Sequence, residues 1–172
     1  LAVGCGIYLL ASSISSLCAV ILFTLKMFFL YASYQDVREK DRIVQLNCLG
    51  IEPTLKVIIQ IDHWYNACVA IERAISVYQG IAFNKRRSRL VAMCLVVAIP
   101  LAVLFICLPL LLRFHVFYDV EEERQWCVTD YRPQSHFHSS VLIFFHYFAP
   151  LLANMSSALF IIIATARQRS SM

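Results

Sequence analysis

Three long stretches of this 172-residue sequence contain no Asp, Glu, Lys or Arg: Leu1–Leu25, Val91–Leu112 and Ser139–Ala166. Charged residues make up only 15% of the chain against 60% hydrophobic, whereas a soluble domain is typically about 45–50% apolar. The shortage of charge excludes a water-soluble domain, and each stretch is long enough to cross a bilayer as a helix. No fixed repeat and no Gly/Ser- or Pro-rich linker is present, so residues 1–172 read as one bundle. No activated Ser or Cys arrangement occurs, and His136 with His138 makes two imidazoles without a third metal ligand. Neither an enzyme nor a cofactor is expected. A tetraspan scaffold usually braces one outer loop with several cysteines of its own, and here that loop holds Cys127 alone.

A fourth segment, from about Ile43 to Ile81, is apolar overall but carries several polar groups. The expectation is therefore an all-α, multi-pass membrane protein with four spans, at about 2–33, 44–81, 90–113 and 139–167. The sequence opens at Leu1 inside an apolar run, with no basic leader or small-residue cleavage site, and closes just past the last span. A signal peptide is not expected, and the chain reads as a fragment of a longer protein.

Charge placement orients the spans. Residues 82–89 hold Lys85, Arg86, Arg87 and Arg89 with no acidic residue, and Arg167 and Arg169 follow the last span. By the positive-inside rule both regions are cytoplasmic, so topology accounts for the basic patch and nucleic acid is not an expected partner. The alternate connections, 34–43 and 114–138, fall outside; the second is acidic through Asp119, Glu121, Glu122, Glu123 and Asp130. Lys26, near the outer end of its span, is expected to snorkel to the headgroups. Pro100, Pro109 and Pro150 each remove a backbone donor and kink their spans, which a packed bundle tolerates when neighbours satisfy the freed carbonyl.

The semi-polar segment is the most informative. At 100° per residue, Glu52, Lys56, Gln60, Asp62, His63, Asn66 and Arg73 fall within an arc of about 160°. Ionisable groups within a span face a bundle interior or a wet cavity, so this helix is expected to be central. Glu52 and Lys56 stand at i, i+4 and either pair with each other or, with Leu55, Ile59 and Gln60, line a pocket open to the outside. Asp62 and His63 lie deeper, either as a buried pair or as an ion site. A transporter or channel lined by Glu52, Lys56, Asp62 and His63 is the alternative reading, although inverted repeats are lacking.

Cys48, a span ending in Glu72-Arg73-Ala74, a basic loop, a loop bearing Cys127 and a span with Pro150 together resemble the rhodopsin-like (class A) G-protein-coupled receptors. Their order and spacing match that family's second to fifth transmembrane helices. Gly-Ile-Tyr-Leu-Leu-Ala-Ser-Ser-Ile and Asn-Ala-Cys-Val-Ala-Ile-Glu-Arg-Ala are similar to a group of invertebrate, neuropeptide-receptor-like proteins. The resemblance implies a plasma-membrane receptor that transduces an extracellular ligand to a heterotrimeric G protein. It implies a Cys48–Cys127 disulfide, coupling residues Glu72, Arg73 and Ile81, a helix kink at Pro150, and His146 facing the ligand pocket. Departures are informative. The second-helix Asp of the family is missing from Ala11-Ser-Ser-Ile-Ser15, leaving Asp62 as its substitute. No Trp occurs in Val91–Leu112, Ala158 replaces a Tyr, and Leu55 stands where amine receptors carry Asp, so an aminergic ligand is not expected. Glu52 and Glu121–Glu123 point instead to a cationic peptide.

Overall fold

The computed structural model describes residues 3–35, 40–112, 114–119, 124–129 and 133–170. Helix α1 spans Val3–Gln35, and a short α2, Lys40–Leu46, runs through a widened π turn at Asn47–Ile51 into α3, Glu52–Gln79. A 3₁₀ turn at Gly80–Ala82 leads to α4, Lys85–Leu111; strands β1, Phe114–Asp119, and β2, Arg124–Thr129, follow, and α5 covers Pro133–Ser170.

Local chemistry explains the punctuation. Pro53 has no N–H, and its ring would press on the Leu49 carbonyl of a regular helix; the preceding turn opens so that the Glu52 N–H bonds Asn47 O five residues back. Gly80 ends α3 at φ +52°, a conformation that costs a residue without Cβ little. Asn84 starts α4, its Oδ1 accepting the backbone N–H groups of Arg86 and Arg87 at 3.1 Å each.

Helices α1, α4 and α5 each contain a segment long and apolar enough to cross a membrane: Gly4–Ala32, Lys85–Pro109 and Phe144–Gln168. The chain is thus a helical membrane protein. Helix α3 has the length, at about 42 Å of rise, but its charged and other polar residues together keep its hydropathy below that class. The expected boundaries shift in three places. Lys85–Arg89 form the first turns of α4 rather than a loop, because Asn84 caps the helix; α1 extends to Gln35; and the region 114–138 contains an antiparallel hairpin followed by the start of α5. Glu121–Glu123 and Asp130 lie outside the described residues.

The arrangement makes α3 the hub, packed against α1, α4 and α5. Val57, Ile61 and Tyr65 bury against Val103 and Cys107 of α4, and further along Val69 meets Cys5, Tyr8 and Ala92. Outward, α1, α4 and α5 present Leu10, Leu17, Phe28, Leu101, Phe105 and Ile162 to the surroundings, as lipid contact requires.

Candidate functional site

At one end of α3, Cys48 is joined to Cys127 of β2, with 5.3 Å between the Cα atoms. The bond fixes the hairpin over the helix. In the ladder Cys127 faces Val116, and two residues earlier Phe114 is buried with its ring 4.6 Å from the Lys56 ammonium. The same ammonium lies 3.9 Å from Glu52 Oε1. Because α1 runs antiparallel to α3, its far end brings Lys26 onto Glu52 Oε2. Lys26 therefore forms an ion pair instead of snorkelling, and Glu52 sits between two cations.

Other expected pocket residues divide. Gln60, only 5% exposed, turns to α4, where its Oε1 accepts from the Cys107 thiol at 2.9 Å; it is a core residue rather than a pocket wall. Leu55 is also buried in the packing, and Ile59 is half-buried. His146 reaches α3 from α5. The Trp64 indole N–H donates to His146 Nδ1 at 3.0 Å, and His63 meets the Tyr147 ring edge-on at 5.6 Å. Asp62 and His63 are thus not a pair. Pro150, one turn beyond His146, is fully buried, and its carbonyl accepts from Asn154 Nδ2 at 2.9 Å.

Asp62 collects donors from two helices. Ser12 and Ser16 of α1 donate to its Oδ1 at 2.6 and 3.2 Å, while Asn66 Nδ2 donates to its Oδ2 at 3.2 Å. Such hydroxyl and amide donors let a carboxyl lie between helices without the full penalty of an unpaired polar group. The arrangement places Asp62 against the Ala11–Ser15 stretch. Among the described residues, no three His, Cys, Asp or Glu side chains gather as a metal site.

The opposite end of α3 carries Glu72 and Arg73. Glu72 is 8% exposed and accepts the Ser88 hydroxyl of α4 at 2.5 Å, while Arg73 is exposed. Among the described residues no ion pair joins them, so the acidic neighbour does not hold the guanidinium in this structure. Gly4 permits the contact: a Cβ there would fall 2.6 and 2.8 Å from the two Glu72 carboxylate oxygens and closer still to Ser88 Oγ. Beside this pair lies a groove of about 590 Å³ whose walls include Tyr8, Cys68, Ile75 and Arg87. Ile81, on the 3₁₀ turn, is fully exposed.

Roles for Trp64, Tyr65, Ser88 and Gly4 are not apparent from the sequence, because a polar or small side chain there does not say which neighbour it meets. No protein-family model matches this sequence, and no curated protein matches it.

Proposed function

We propose that this chain is the second to fifth helices of a rhodopsin-like receptor in the plasma membrane, with α3 as the receptor's third helix, crossing the bilayer alongside α1, α4 and α5. An extracellular ligand binds at the Cys48 end and selects the conformation in which Arg73 and Ile81 engage a heterotrimeric G protein. One observation carries the reading: a central helix is braced by a disulfide at one end and presents an exposed Arg beside a buried Glu at the other. A guanidinium suits that role because it stays charged while exchanging hydrogen-bond partners. Permeation is less favoured. The charged groups that would line a path are instead engaged between adjacent helices, Glu52 with Lys26 and Asp62 with Ser12 and Ser16.

The test is nucleotide exchange by purified G-protein heterotrimers on the full-length protein, without added ligand. Arg73→Ala is expected to reduce the ligand-independent rate to that of protein-free controls, with surface expression unchanged. Equal exchange by the wild type and the variant removes the coupling role.

A further inference from the structure

We propose that the Cys48 end takes a ligand bearing a carboxylate, placed on Lys56, with a second hydrogen-bond acceptor about 12 Å deeper, placed on His146. The proposal rests on the receptor reading only in assuming that a ligand enters at this end.

Charge comes first. Among the described residues one carboxylate, Glu52, meets two ammonium groups, Lys26 and Lys56, which leaves a surplus positive charge there. The surplus resides on Lys56, whose side chain is 46% exposed against 25% for Lys26 and 21% for Glu52. Among the described residues its ammonium has one carboxylate contact, the long 3.9 Å one to Glu52, and the Phe114 ring, held by the disulfide-fixed hairpin, keeps it in place. A cationic ligand would have to displace Lys26 to reach Glu52. An anion meets no such competitor.

Hydrogen-bond polarity points the same way. An indole N–H is only a donor, so His146 Nδ1 must be the acceptor of the Trp64 bond. The neutral ring then carries its proton on Nε2. His146 is 3% exposed, and Nε2 has no partner among the described residues. A buried donor without an acceptor is uncommon, and an acceptor supplied by a ligand completes it. Trp64, against which His146 is held, lies eight residues after Lys56 along α3, an axial rise of about 12 Å between the two backbone positions.

The experiment uses full-length protein in nanodiscs and a fluorinated 4′-hydroxybiphenyl-4-carboxylate, a rigid acid with its hydroxyl at the far end, followed by fluorine NMR. The expected result is saturable binding, weakened roughly tenfold or more by Lys56→Met and retained within about threefold by Lys56→Arg. His146→Phe is expected to lower the affinity to that of the same acid lacking the hydroxyl. The methylammonium analogue should bind at least tenfold more weakly than the acid. Equal or tighter binding of the methylammonium analogue, or no effect of Lys56→Met, overturns the proposal. The readout needs no G protein, so loss of exchange in the Arg73 experiment and loss of probe binding report separate failures.

Discussion

The Tyr65 hydroxyl of α3 donates to the Val96 carbonyl of α4 at 2.8 Å, and Val96 stands four residues before Pro100. A regular helix would satisfy that carbonyl from residue 100, which has no N–H to give. Tyr65 takes over the missing donor's role, so the proline within α4 and the α3–α4 packing are one feature.

Tyr65→Phe is therefore expected to lower stability by about 1–3 kcal/mol, because a partly buried carbonyl freed by the proline loses the side-chain donor that replaces the missing N–H. Pro100→Ala restores a backbone donor, and in the Tyr65→Phe background it should recover part of that loss. Thermal unfolding of the wild type and the three variants in detergent, arranged as a double-mutant cycle, measures the coupling. Strict additivity would show that the two residues act independently.

That a proline-freed carbonyl needs a neighbour was legible in the sequence; that Tyr65 is the neighbour was not, since it depends on how α3 and α4 are rotated against each other. The central position of α3 was also legible, because its polar residues share one broad arc. That arc is wide enough to face more than one neighbour. Asp62 at one edge meets α1 and Gln60 at the other meets α4, which is why Gln60 could not be separated from a pocket by azimuth alone. Lys26 was misplaced for a different reason. A lysine near a span end satisfies the membrane by itself, so nothing in the sequence demands the partner that antiparallel packing supplies in Glu52.

At the other end of α3, Gly4→Ala should be among the costliest small substitutions in the protein. The added methyl meets both the Glu72 carboxylate and the Ser88 hydroxyl, so one of those two must move. Overpacking of this kind typically costs about 1–3 kcal/mol. Ser88→Ala, by contrast, adds no bulk but removes the hydroxyl that Glu72 accepts. Unfolding midpoints of both variants, together with Glu72→Gln, separate the steric from the hydrogen-bond contribution. A Gly4→Ala midpoint equal to that of the wild type would contradict this packing.

Asp62 offers a contrast between losing charge and losing an acceptor. Asp62→Asn keeps an oxygen for Ser12 or Ser16, whereas Asp62→Leu leaves both hydroxyls and the Asn66 amide without it. The Leu variant is expected to be the less stable by about 1–3 kcal/mol despite its greater hydrophobicity. Unfolding in nanodiscs tests the order, and a more stable Leu variant would show that the α1 hydroxyls find other acceptors.

The disulfide does two things that can be measured apart. It closes a separation of 79 residues, and for an unfolded chain in water such closure contributes about 4 kcal/mol. That figure is an upper bound here, because membrane-spanning helices inside the loop stay helical when the bundle comes apart and leave less chain entropy to remove. The bond also holds Phe114 against Lys56 through the hairpin register. Replacing Cys48 and Cys127 together by Ser should therefore lower stability by less than the full closure value and weaken the fluorinated acid's binding as well. Phe114→Leu, which leaves the bond intact, should affect binding with a smaller change in the unfolding midpoint. If the double Cys variant loses stability yet binds the acid as the wild type does, the hairpin is a brace alone and Phe114 does not position Lys56.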